Sequence, residues 1–142
     1  MFLGEHQHSL DAKGRVILPA RFRDQLEQGA VMAKALDGCL AVYPMQEWAR
    51  VADKASELAQ RGPRERQAAR ALFASAVDFV PDKQGRVAVP SHLREFAGLQ
   101  RDVIVAGMYH RIEIWDAQRF RELDREGDAS ILSAEELPDL GM

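Results

Sequence analysis

The feature that most constrains this 142-residue chain is an internal duplication. Asp11-Ala12-Lys13-Gly14-Arg15-Val16-Ile17-Leu18-Pro19 returns as Asp82-Lys83-Gln84-Gly85-Arg86-Val87-Ala88-Val89-Pro90, with aspartate, glycine, arginine, valine and proline at the same spacing. The match continues through Phe22 and Leu93 and through Arg23 and Arg94, with the acids Asp24 and Glu95 behind them. A unit of short strand, short helix and hairpin is too small to bury its own apolar face. Two units in one chain can share a core about an internal pseudo-twofold axis, and their open strand edges invite pairing between halves and between chains. The expectation is a single intertwined β-rich domain of α+β class, not two independent beads.

Each copy predicts the same local structure. Asp11 and Asp82 open turns by accepting backbone NH groups, and Gly14 and Gly85 tolerate positive φ, so these four residues shape the turns. Strand alternation then sends Val16 and Leu18 inward with Arg15 and Ile17 outward; Val87 and Val89 go inward while Arg86 shares its face with Ala88. Pro19 and Pro90 suit the first position of short helices. Those helices are predicted to bury Phe22 and Leu26 in one copy and Leu93, Phe96 and Ala97 in the other, with Gly29 and Gly98 as stops. Two strands follow in each half, near residues 30–35 and 39–43 about the turn signal Asp37-Gly38, and near 102–106 and 111–115, all displaced by one further residue relative to the motif.

The connecting segments read as helices. Met45, Trp48, Val51, Ala55 and Leu58 form an apolar stripe, Gly62-Pro63 breaks it, and a second helix over about 64–76 leads into the second copy. Asp116 is placed to cap a helix carrying Phe120 and Leu123. Ser133-Ala134-Glu135-Glu136 has the form of a capping box for a last turn before Pro138, and the tail after Leu137 is expected to be mobile.

With 46% hydrophobic and 29% charged residues the composition is that of a soluble folded protein. The single cysteine, Cys39, excludes an internal disulfide and a cysteine metal cluster and suits a reducing compartment. No segment approaches the roughly 20 apolar residues of a membrane span, and the start lacks the pattern of a secretory signal, so a cytoplasmic location is expected. His6 and His8 share one parity but have no third ligand nearby, which favours a partly exposed edge strand over a metal site. No metal or cofactor is expected.

Charge is organised locally. The net charge is −3, yet 11–23 carries Lys13, Arg15, Arg21 and Arg23 against Asp11 alone, 61–70 carries four arginines against Glu65, and from Glu113 onward acids dominate. Asp-x-x-x-Arg fits a local turn with a surface ion pair worth about 0–1 kcal/mol. It also fits a nucleic-acid reader, in which Arg15 and Arg86 meet phosphate or a guanine edge and Lys13 and Lys83 meet the backbone. A catalytic dyad of Asp11 and Asp82 would need one carboxylate with a raised pKa, whereas each has an arginine four residues on and a lysine within two. The serines lack motif context and no phosphate-cradling glycine run is present, so an enzyme is not expected. The alternative to a DNA reader is an oligomeric assembly or partner-binding module whose basic turns pair with acidic protein surfaces.

Several segments together are diagnostic: Leu10-Asp11-Ala12-Lys13-Gly14-Arg15-Val16, Pro19-Ala20-Arg21-Phe22-Arg23, the echo ending in Ala97-Gly98-Leu99, the opening Met1-Phe2-x-Gly4, Leu40-x-Val42-Tyr43-Pro44-x-x-x-Trp48, and Glu113-Ile114-Trp115-Asp116. Over essentially its whole length the chain resembles the MraZ family, bacterial transcriptional regulators built from two SpoVT-AbrB units. The resemblance implies a swapped-hairpin AbrB-type barrel with flanking helices. On that scheme 5–50 is the first unit, 51–76 a helical hairpin connector, 77–120 the second unit and 121–142 a C-terminal helical segment and tail. It further implies a ring-shaped homo-oligomer, usually an octamer, that binds double-stranded DNA at G-rich direct repeats upstream of its own division and cell-wall operon. Repression and association with the nucleoid go with that role. The family's motif arginine maps onto Arg15 and Arg86 as the DNA contact and its aspartate onto Asp11 and Asp82 as the turn former. Gln84 stands where Lys13 stands in the first copy, with Lys83 one place earlier, so the first copy is favoured.

Overall fold

In the computed structural model, which describes residues 1–133 and Gly141, the two copies trade strands. The first half runs β1 (Glu5–Ser9), β2 (Arg15–Ile17), α1 (Ala20–Arg23) with a 3-10 turn over Asp24–Leu26, β3 (Ala30–Lys34) and β4 (Leu40–Pro44). A helical hairpin of α2 (Met45–Leu58) and α3 (Pro63–Ser75) leads to β5 (Val77–Phe79), β6 (Arg86–Ala88), α4 (Ser91–Ala97), β7 (Asp102–Gly107), β8 (Ile112–Asp116) and α5 (Ala117–Leu132). Strands of both halves share one antiparallel sheet of order β1-β7-β8-β4-β3-β5, in which each half's hairpin is flanked by an edge strand of the other, and β2 pairs with β6 in a separate ribbon. The class is α+β, and the intertwining follows from the pairing itself: β1 of the first copy docks on β7 of the second, and β5 of the second docks on β3 of the first.

The register defines the pseudo-twofold axis. Val16 faces its own counterpart Val87 in the ribbon, and in the sheet Ala41 faces Glu113 at the β4–β8 junction. Val77 pairs with Met32 while its counterpart His6 pairs with Val105, so Met32 and Val105 are equivalent. The uniform one-residue displacement expected for the hairpin strands therefore holds for β4 and β8 but not for β3 and β7. A uniform displacement would match Met32 with Ile104, which faces the opposite side of the sheet. Strand alternation forbids such a match, so the second copy is longer before β7 and shorter in the turn after it.

Both faces of the sheet are covered. On one side Met32, Leu40, Val42, Val105, Ile112 and Ile114 meet Val16, Leu18, Val87 and Val89 of the ribbon together with Phe22, Leu26 and Leu93. On the other, Ala33, Ala41 and Tyr43 pack under Trp48, Val51 and Leu72 of α2 and α3, and Cys39, Ile104 and Trp115 pack under Phe120 and Leu123 of α5. Burial on two faces explains why the central strands read as continuous apolar runs instead of clean alternation. Of the α2 stripe, Trp48 and Val51 pack against the sheet without being fully enclosed, whereas the end residues Met45 and Leu58 are exposed.

Local signals behave as their chemistry requires. Asp116 caps α5, its carboxylate accepting the Arg119 NH at 3.1 Å. Asp37 and Gly38 adopt φ of 66° and 82° in the β3–β4 turn, and Gly98 ends α4 at φ 62°. Cys39 is enclosed, and burial followed by the nearby Glu113 pushes its thiol up to about 12. One expectation is corrected: Phe96 is 42% exposed, not buried. α4 turns Leu93 and Ala97 to the core, which puts Phe96 on its flank, where Lys34 Nζ sits 5.2 Å from the ring centroid. The capping box and tail predicted beyond Ser133 lie outside the described residues, apart from Gly141.

Candidate nucleic-acid interface

Each turn is built from its aspartate outward. Asp11 Oδ1 accepts the backbone NH groups of Lys13 and Arg15, both at 2.9 Å, and Oδ2 accepts Arg15 Nε at 2.7 Å. Asp82 repeats the set, with the NH groups of Gln84 at 2.9 Å and Arg86 at 2.8 Å and Arg86 Nε at 2.8 Å. Gly14 (φ 74°) and Gly85 (φ 77°) close the turns by donating to the aspartate carbonyls at 3.0 and 2.8 Å. The carboxylate therefore organises the backbone and holds one edge of the arginine at once.

The two turns meet through the ribbon. Leu18 NH donates to Gly85 O and Val89 NH donates to Gly14 O, each at 2.9 Å, so each copy's strand is anchored on the other copy's turn. With Val16, Val87, Leu18 and Val89 inward, the outer face presents Arg15 beside Ala88 and Ile17 beside Arg86. Lys13 and Lys83 are exposed at the turn tips. All four predicted contacts thus belong to one two-stranded unit.

The two copies are not equivalent. Arg86 Nη2 also donates to Gln84 Oε1 at 3.2 Å. Arg15 is held through Nε alone, and its terminal NH2 groups have no protein hydrogen-bond partner among the described residues. Lys83 lines a cleft that it shares with Arg23 and with the acids Asp24, Glu27 and Asp82.

A pair of residues matched in the repeat but given no role from sequence turns out to support the site. Arg94 lies over Gly14, where an added Cβ would fall 2.0 Å from Nη1, and its guanidinium donates to Val89 O. Arg23 lies over Gly85, with 2.2 Å between Cδ and the position of an added Cβ. Each helix thus clamps the opposite copy's turn, and the glycines serve close approach as well as positive φ. The signal was present in the sequence as the Arg23–Arg94 correspondence; only folding reveals that each arginine reaches across to the other repeat.

Electrostatics argue against a dyad. The Arg15 NH foremost holds the Asp11 carboxylate below its ordinary range; desolvation opposes it, and the Arg15 side chain and the Lys13 NH add to the lowering. Asp82 is lowered in the same way by the Arg86 NH, the Arg86 side chain and the Gln84 NH. Both are exposed anions, opposite to the raised pKa an acid–base pair needs. A depressed folded-state pKa means the turn's stabilisation is present above the ordinary carboxylate value of about 3.9 and is lost as pH falls through the lower folded value. In an NMR titration the amides of Lys13, Arg15, Gln84 and Arg86 should therefore move together with midpoints below about 3.9. Midpoints at or above that value would contradict the carboxylate-centred turn.

The N-terminal histidines do other work. The His6 ring meets Phe22 edge-on at 5.4 Å, and burial followed by the charge of His6 lowers the His8 pKa. β1 is an edge strand of the sheet, and no group of three His, Cys, Asp or Glu side chains placed to hold a metal occurs among the described residues. Nor is any helix there long and apolar enough to cross a membrane.

Comparison with known proteins matches this doubled architecture. A family model described as "MraZ protein, putative antitoxin-like" matches residues 1–71 and again 72–137. A protein of Pediococcus pentosaceus called "Transcriptional regulator MraZ" is 44% identical over 143 residues, covering 100% of both chains. Proteins of the same name from Frankia casuarinae, 47% identical over 140 residues with 97% of this chain and 98% of the relative covered, and from Salinispora arenicola, 46% identical over 136 residues with 96% of each covered, are similar throughout.

Proposed function

This chain belongs to the MraZ family, and on that premise we propose that it regulates transcription by binding double-stranded DNA through the outer face of the β2–β6 ribbon. Arg15 and Lys13 are the leading contacts; Arg86 and Lys83 are the lesser pair. The observation that carries this reading is the tethering of Arg15 by Asp11 at Nε, which leaves both terminal NH2 groups without a protein hydrogen-bond partner among the described residues. An arginine held this way keeps the donors that fit phosphate oxygens or the O6/N7 edge of guanine and has already lost much of its conformational freedom. Arg86 is spoken for on a second side by Gln84, which supports giving the first copy the larger share.

The family supports the finer assignments we propose with it: a ring-shaped homo-oligomer, an octamer in the usual family form, repressing its own division and cell-wall operon from G-rich direct repeats, in the cytoplasm and on the nucleoid. Residues 5–50 and 77–120 would serve as the two SpoVT-AbrB units, 51–76 as connector and 121–142 as the C-terminal segment. Repetition answers the charge problem of a chain with net charge −3. One small basic ribbon binds weakly, but several on one assembly engage several boxes with high effective concentration.

Footprinting on DNA upstream of the protein's own gene is the direct test. The expected result is protection of evenly spaced boxes, at an interval the subunit spacing of the assembly can span. No protection there, with equal affinity for unrelated DNA, would reject a sequence-specific regulator.

A further inference from the structure

Beneath the two turns lie two clefts related by the internal pseudo-twofold, and they have opposite electrostatic character. The cleft under the first turn, about 290 Å³, is lined by Asp11, Ala12, Gly14, Arg94, Gln100 and Arg101 among others, so two arginines face one acid. The cleft under the second turn, about 230 Å³, contains Arg23 and Lys83 against Asp24, Glu27 and Asp82. The difference comes largely from the loop that follows the short helix in each half. In the second half it reads Leu99-Gln100-Arg101; in the register that pairs Met32 with Val105, the first half has the uncharged Gln28 where Arg101 stands, with Gly29 matching Asp102. Folding brings the Arg101 loop to the other copy's turn, because Leu10 NH donates to Arg101 O at 2.8 Å.

Arg101 is exposed, and its side chain forms no hydrogen bond or ion pair with any described residue. The nearest acid in sequence, Asp102, has its Oδ1 engaged by the Ser9 hydroxyl at 3.3 Å. Arg94 is occupied as the clamp on Gly14 and Val89, so it adds charge to the cleft without being free to leave it. A fixed cation behind a free one, beside a turn that presents Lys13 and Arg15, is suited to a phosphodiester flanking the bases those residues meet.

Building on the reading of the ribbon as a DNA interface, we propose that Arg101, at the basic cleft beneath the first turn, is a DNA phosphate contact that tilts each protomer's interface toward its first copy. The contact is sequence-independent, because phosphates carry no base identity. The second turn, backed by acids, has no equivalent.

The test measures binding of the full-length protein to its operator and to unrelated DNA across a salt series. Arg101→Gln should weaken both by the same factor and flatten the log–log salt dependence by about 0.9 for every protomer that makes the contact. Arg101→Lys, which keeps the charge, should restore the slope. Arg61→Gln, on the α2–α3 hairpin across the sheet from the ribbon, should leave the slope unchanged. An unchanged slope in Arg101→Gln, or an equal change in Arg61→Gln, overturns the proposal. So does a loss confined to the operator, which would indicate a base contact. Arg15→Ala in the same series separates the two readings: if it leaves binding intact, the ribbon interface itself falls, whereas loss with Arg15→Ala beside an unchanged slope in Arg101→Gln rejects only the phosphate site.

Discussion

Arg15→Ala is expected to abolish specific binding to the proposed operator while leaving the proposed oligomer and the fold intact. The side chain lies on the outer face of the ribbon, 28% exposed, and among the described residues it is tied only by the ion pair with Asp11. A surface pair of this kind contributes about 0–1 kcal/mol to stability, and Asp11 keeps its two backbone NH partners when the arginine is gone, so the turn should survive. A bidentate base contact is worth about 1–3 kcal/mol of discrimination, roughly 5- to 150-fold, and the loss multiplies over every protomer that engages DNA. Gel-shift titration with size measurement on the same sample reads both outcomes. Unchanged affinity would remove Arg15 from the interface. Collapse of the assembly, with DNA binding by the residual species unaffected, would favour the other class of function, a partner-binding module whose basic turns grip acidic protein surfaces.

Phe22→Ala should be the most damaging single change to stability among the repeat residues. Phe22 is fully buried in the core between ribbon and sheet, with its ring 5.3 Å from Phe2 and 5.4 Å from His6 in edge-on contacts. Truncation leaves a cavity and should cost about 3–5 kcal/mol. That is a large share of the roughly 5–15 kcal/mol typical of a whole domain. Phe96→Ala is the matched control: the ring is 42% exposed, and its visible partner is the Lys34 ammonium, so the loss should be about 0.5–1 kcal/mol. Denaturant unfolding of the two variants distinguishes the sites. Equal losses would mean that the two helices bury comparable faces, against the packing described.

The contrast between these phenylalanines shows where reading the chain stops working. Pro19 and Pro90 stand at the N-caps of both helices, one residue before the first helical position expected for them, with extended ψ of 143° and 150°; apolar spacing correctly selects Phe22, Leu26, Leu93 and Ala97. Spacing alone also selects Phe96, because a seven-residue helix has too few turns to separate its core face from its flank. The hairpin strands fail in a related way. A one-residue displacement aligns them well by residue type, but pairing requires Met32 to correspond to Val105, since both point toward the ribbon.

Within the turns far more was legible. The roles of Asp11 and Asp82, the positive φ of Gly14 and Gly85 and the inward valines all depend on contacts within a few residues, where sequence distance and spatial distance agree. The clamp of Arg94 on Gly14 and of Arg23 on Gly85 was not legible, because it joins residues of different copies. Neither was the unequal charge of the two clefts, which depends on which loop folding brings beneath which turn.

By itself, then, the sequence determined the doubled turn, its chemistry and the need for two copies to share a core, since these follow from short-range hydrogen bonding, backbone preference and apolar periodicity. Tertiary structure alone decided which strands the copies exchange and in what register, that each turn is held by the other copy's arginine, and that Arg101 lies beside the first turn. Those outcomes arise from long-range strand pairing about a pseudo-twofold axis, where a single residue of register decides which side chains meet.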